Sequence, residues 1–169
     1  MLAGGVDLAL RFGPPPGSGL IARKLLETRI LTVATPAYLA GRPTLRAPAD
    51  IAGHEVILFR DPQSGRPFTW EFHRGGKVIE VPVAGRLVLD DLSAALAACE
   101  AGLGLFQSFE LGLAPWLSSG RLVTVLADWA EERFALHAYY ASRRQLPGKV
   151  RAFLDFIAGD LGSRASPAA

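Results

Sequence analysis

The stretch "GRLVLDDLSAALAACEAGLGLFQS" (Gly85–Ser108) reads as strand, helix and strand in immediate succession. "GRLVLDD" (Gly85–Asp91) reads as a strand. Asp90 and Asp91 close it, and one of the two is placed to cap the helix that follows, from Leu92 to Ala101. Gly102 ends that helix, and "LGLFQS" is extended again. Leu92, Leu96 and Cys99 share a helical face, so the one cysteine is expected to be a buried core thiol. A strand–helix–strand unit of this length predicts an α/β fold.

Working outward, the same alternation recurs. On the N-terminal side, "GVDLALRFG" alternates Val6, Leu8, Leu10 and Phe12 with Asp7, Ala9 and Arg11, the period of a half-buried strand. The proline-rich "GPPPGSG" is a loop, and "LIARKLLETRILTVA" reads as one long extended run crossing between lobes. "TPAYLAG" predicts a short helix, with Thr35 as N-cap, Pro36 at the first helical position and Gly41 past the end. "APADIAGH" repeats the device, with Gly53 as cap. "EVILF" is a strand and "RDPQSGRP" a loop. "FTWEFHRGGKVIEVPV" predicts a hairpin turning at Gly75-Gly76, with Phe68, Trp70 and Phe72 on one face. Beyond Ser108 a short helix around "FELGLAPWL" is expected, with Ser108 as its N-cap. "RLVTVL" and "RFALHAYYA" are two more strands. A closing helix from Pro147 to Leu161 carries Val150, Phe153, Leu154, Ile157 and Leu161 on one stripe and stops at Gly162.

Composition narrows the function classes. Half of the 169 residues are hydrophobic and 20% are charged, enough for a real core. The 18 basic and 16 acidic residues leave a net charge of +2, with arginines spread singly and no basic block, which argues against a nucleic-acid surface. A lone cysteine excludes a disulfide framework. There is no nucleophile elbow, phosphate loop or dinucleotide fingerprint. His54, His73 and His137 sit on separate elements without ligand spacing, so no metal and no cofactor are expected. No signal peptide or membrane-length apolar run is read, and a cytoplasmic location is expected.

What remains is geometry. Ligands of open α/β sheets bind at the carboxyl ends of strands, beside the N–H groups of the next helix. Four such places are read here: after Phe12, at Thr35-Pro36, at Phe59-Arg60, and at Phe106-Gln107-Ser108. If they converge, they form a small polar pocket with Arg60 or Arg11 available to an acid group.

Taken together, "GVDLALRFG", the run ending "TVATPAYLAGRPTLRAPADIAGHEVI", "W-x-F-x-RGGK", "VAGRLVLDDLSAALAACEAGLGL", "GRLVTVLADW" and "YYASRRQLPGKVRAFLDFI" resemble the regulatory half of LysR-type transcriptional regulators, in that family's order and spacing. The resemblance implies a type-II periplasmic-binding-protein-like fold, two α/β lobes with a small-molecule effector in the cleft. On it, residues 1–27 are partial lobe one, 28–135 are lobe two, 136–162 return to lobe one, and 163–169 are a disordered tail. The implied cleft wall is Phe12, Gly13, Thr35, Phe59, Arg60, Asp90, Phe106, Gln107 and Ser108, taking an anionic or polar effector. The family's helix-turn-helix domain and the first part of lobe one are expected to precede this stretch, which puts Met1 in mid-domain. The chain is therefore expected not to bind DNA by itself, to act on no substrate as an enzyme, and to self-associate or pair with related regulators through uncovered lobe-one surfaces. The alternatives are a stand-alone decoy that pairs with related regulators and a free-standing solute-binding domain.

Overall fold

The computed structural model describes residues 6–13, 19–141 and 147–164. Residues 14–18 of the proline-rich loop, Gly5 and residues 165–169 of the expected disordered tail therefore lie outside the described residues. The chain divides into two compact units, one formed by Arg29–Glu132 and the other by the flanking segments Met1–Thr28 and Arg133–Ala169.

In the continuous unit, the stretch that opened the sequence folds as expected. Strand β7 (Leu87–Leu89) leads to helix α2 (Leu92–Glu100) and strand β8 (Leu105–Phe109). Asp91 is the N-cap, its carboxylate accepting the Ala94 N–H at 2.8 Å. Strand β4 (Val56–Phe59) lies between β7 and β8 and runs parallel to both. Strand β3 (Ile30–Ala34) is antiparallel to β8, and β9 (Val123–Val125) is antiparallel to β3, giving the order β7-β4-β8-β3-β9. The alternation of side chains along these strands feeds two cores. Leu31, Val33, Ile57 and Phe106 pack with Leu96 and Cys99 of α2 and with Leu113 of α3 (Glu110–Ser118). On the other face Ala34, Val56, Leu58 and Leu105 meet Tyr38 of α1 (Pro36–Ala40) and the hairpin β5–β6 (Trp70–Arg74, Lys77–Val81) through Trp70, Phe72 and Val81. Both turn glycines of that hairpin have positive φ, +57° at Gly75 and +75° at Gly76, as a two-residue turn of this hand requires.

In the other unit, β10 (Phe134–Tyr140) is the middle strand of an antiparallel sheet. It is flanked by β1 (Ala9–Phe12) and β2 (Ile21–Thr28). Helix α4 (Gly148–Arg164) seats Val150 and Leu154 against Leu8, Ile21, Leu25, Ala138 and Tyr140.

Several local expectations are corrected. The single crossing run is two strands, β2 and β3, which belong to different sheets and break at Arg29. Pro48–Gly53 is a 3-10 helix capped at His54, not at Gly53. Ser108 is not an N-cap: it stays in β8 opposite Leu31, and Phe109 occupies the cap position without a side-chain bond. Phe68 precedes the hairpin and is 51% exposed, and Leu92 leaves the Cys99 face of α2 at 41% exposed. Helix α4 runs through Gly162 to Arg164, with Phe153 turned outward.

Candidate functional site

The direction of the strands sorts the expected site residues. Strands β4, β7 and β8 are mutually parallel, so their carboxyl ends lie at one end of the sheet. Phe59 pairs with Leu89, and the Arg60 N–H continues that ladder to the Leu89 carbonyl at 2.7 Å. This brings Phe59, Arg60, Asp90, Gln107 and Ser108 to the same end. Thr35 goes elsewhere. It follows the carboxyl end of β3, and β3 is antiparallel to β8. Thr35 is four residues beyond Leu31, the partner of Ser108, which is about 13 Å of extended chain. At that far end Thr35 caps α1 through the Tyr38 N–H at 3.1 Å. There it lines a groove of about 590 Å³ with Tyr38, Gly102 and Arg121. Phe12 and Gly13 close β1 in the other unit, where the Gly13 N–H donates to the Ala135 carbonyl at 3.2 Å.

At the shared end each side chain has a definite setting. Phe106 is 1% exposed, a core residue beneath Phe59. The Phe59 ring meets it edge-on at 6.5 Å and lies parallel to Phe68 at 6.5 Å on its other side. Arg60 is exposed. One guanidinium nitrogen donates to the Gly65 carbonyl at 3.0 Å, which leaves further donors of the planar fork for an anion. The loop behind it is held by Asp61, whose carboxylate accepts the N–H groups of Gln63 (2.9 Å) and Ser64 (3.2 Å). Those bonds, first from Gln63, hold its carboxyl below the usual range. Asp90 is exposed beside Asp91, which is committed to the cap. Gln107 donates its amide to the Thr32 hydroxyl at 3.1 Å.

Two contributors were missed. Thr32, 4% exposed, orients Gln107. Arg29, the residue on which the chain enters this unit, pairs in bidentate fashion with Glu110 of α3 at 2.9 and 3.0 Å. Their positions far apart in sequence gave no local signal; only the β3–β8 register joins them.

This end of the sheet can hold a small polar or charged molecule through a guanidinium, a carboxylate, an amide and a hydroxyl, next to an aromatic face. The LysR substrate-binding domain profile matches residues 1–162. The chain belongs to the LysR substrate-binding domain family. As a LysR effector-binding domain it has the family's type-II periplasmic-binding-protein-like α/β fold, and its relatives are transcriptional regulators, not enzymes. It is 37% identical over 159 residues to the regulator PtxR of Pseudomonas aeruginosa, covering 93% of this chain and 50% of that one. It is 38% identical over 129 residues to the Escherichia coli regulator YcaN, covering 76% of this chain and 41% of the relative. The LysR domain here thus spans about half the length of the curated relatives it matches. Among solved structures, the regulatory domain of CrgA from Neisseria meningitidis superposes with a TM-score of 0.79 at 28% identity, over 93% of this chain and 76% of that one. Full-length AphB of Vibrio cholerae gives 0.77 at 31% identity, over 91% of this chain and 51% of that one. No helix among the described residues is long and apolar enough to cross a membrane.

Proposed function

We propose that this LysR domain senses a small anionic or polar effector at the end of the sheet marked by Arg60 and Asp90. The observation that carries the reading is the meeting of Phe59, Arg60, Asp90, Gln107 and Ser108 at the carboxyl ends of parallel strands, with the Arg60 side chain tethered among the described residues by one bond to Gly65. Arg60 takes an acid group of the effector, Asp90 and Gln107 its polar substituents, and Phe59 its apolar body. The domain serves as the sensing part of a cytoplasmic regulator whose DNA contacts come from a helix-turn-helix domain. It self-associates, and the exposed Phe153 and Phe156 of α4 support that part of the reading.

The test is a thermal-shift screen of the chain against small carboxylates and sulfonates, followed by titration calorimetry of any compound that stabilises it. The expected result is an anion whose affinity falls about tenfold or more in Arg60→Ala and stays unchanged in Thr35→Val. Equal affinity in Arg60→Ala and in Asp90→Asn, or no stabilising anion, overturns the reading. Light scattering across a wide concentration range checks self-association, and a strict monomer contradicts it.

A further inference from the structure

The hairpin of the Arg29–Glu132 unit carries a second constellation, away from the site above. Glu71 and His73 are two residues apart on β5, so both leave the face opposite the buried Trp70 and Phe72. A third donor comes from the segment after the short 3-10 turn Ala127–Trp129. That segment is pinned to the hairpin by its backbone: Ala130 bridges to His73, and the Glu131 N–H donates to the His73 carbonyl at 3.2 Å. The Glu131 carboxylate in turn accepts the Gly75 N–H at 2.6 Å. The next residue, Glu132, thereby delivers its Oε2 to 3.2 Å from His73 Nε2, while Glu71 Oε2 stands 3.3 Å from the same nitrogen. All three donor atoms lie within 4.8 Å of one another.

We propose that Glu71, His73 and Glu132 form a binding site for a divalent transition-metal ion of the Zn²⁺ class, with water as the fourth ligand. Three observations carry it. First, one imidazole nitrogen faces two carboxylates, yet neither approach reaches the roughly 2.7–2.9 Å of a charge-assisted hydrogen bond. Ligands about 2.0–2.1 Å from a tetrahedral ion stand about 3.3–3.4 Å apart, close to the 3.3 and 3.2 Å of the two His73 contacts. Second, the donor set of one imidazole and two carboxylates with an open position suits Zn²⁺ better than Ca²⁺ or Mg²⁺, which take oxygen alone. Third, Glu80 stands directly opposite Glu71 in the β5–β6 register. A like-charged cross-strand pair is destabilising, and a cation beside Glu71 offsets it. The ion ties the hairpin to the 130–132 segment, so it acts as a clasp within this unit.

The test is a titration of the metal-free, tag-free 169-residue chain with Co²⁺, followed by its visible d–d absorption. The expected result is the intense spectrum of a four-coordinate ion at one equivalent per chain, displaced by Zn²⁺. Zn²⁺ is also expected to raise the midpoint of thermal unfolding by roughly 2–4 °C. His73→Ala and Glu132→Gln lower the Co²⁺ affinity at least about tenfold, while His137→Ala leaves it unchanged. Glu71→Gln, a near-isosteric change on an exposed strand face, gives the same loss if either of the other variants is unstable in EDTA. Absence of the four-coordinate spectrum, or its persistence in Glu71→Gln and Glu132→Gln, overturns the proposal.

Discussion

Arg29 and Glu110 lock the entrance of the Arg29–Glu132 unit: two guanidinium–carboxylate bonds at 2.9 and 3.0 Å run beside a backbone bond from the Glu110 N–H to the Arg29 carbonyl at 2.9 Å. The pair joins the point where the chain enters β3 to the first turn of α3, where an acidic side chain also favours the helix dipole. Glu110 holds the Arg29 guanidinium above its already high range, first through the hydrogen bond. With side chains 34% and 42% exposed, water screens much of the attraction. A double-mutant cycle of Arg29→Ala and Glu110→Ala is expected to give a coupling of about 0.5–1 kcal/mol in urea unfolding. Arg29→Lys recovers only part of it, because an ammonium cannot make the paired contact. A coupling near zero would show the pair to be ornamental.

Adjacent aspartates divide the labour. Asp91 caps α2, whereas Asp90 is exposed next to it. Asp91→Ala is expected to cost about 1 kcal/mol of stability, and Asp90→Ala to leave stability unchanged. Chemical denaturation of both variants checks this directly.

Cys99 is fully buried, and burial first, with the Glu100 charge second, pushes its thiol from 9.0 up to about 12. Below the unfolded value both states hold the proton, and the whole contribution to stability is present. As pH rises from about 9 towards 12, the unfolded chain releases a proton that the folded chain keeps, so stability falls. The wild type is therefore expected to lose more stability than Cys99→Ala between pH values of about 8 and 10.5, measured by urea midpoints. The native thiol should also resist a disulfide reagent until the chain unfolds.

Gly104 marks a close approach of two backbones. A Cβ built there would lie 2.6 Å from the Glu55 carbonyl oxygen, at the β4–β8 entry where the Leu105 N–H donates to that same carbonyl at 2.9 Å. Gly104→Ala is expected to destabilise the chain by about 1–3 kcal/mol. Gly41→Ala, with nothing within 4 Å, serves as the neutral comparison, and thermal unfolding of the two distinguishes them.

Local chemistry was legible and global direction was not. Thr35-Pro36, Gly75-Gly76 and the Asp90-Asp91 pair announce their caps and turns because each depends on residues within one turn of chain, though only the structure separates Asp91 from Asp90 as the cap. Thr35 was grouped with Arg60 because both follow a strand, but a strand's polarity in the sheet is set by partners far away in sequence. The pairing of Thr32 with Gln107 depends on the same unseen register. Ser108 looked like a cap because serine favours that position, yet its pairing with Leu31 keeps it in β8. His73 looked isolated because its second carboxylate neighbour, Glu132, lies on another segment. Alternation alone places Phe68 in the strand, whereas it precedes the hairpin and stacks on Phe59.

Thr28 and Phe134 are register partners in the β2–β10 pair, so the chain leaves one unit and returns to it across a single strand spacing. Everything between is an unbroken guest segment inserted into a host. A guest whose ends meet this closely can be lifted out, its gap in the host closed by a few residues, or another guest of the same fold set in its place. If Arg60 and Asp90 bind the effector as proposed above, that part of the specificity is in this sense portable, a cassette carried on one continuous segment.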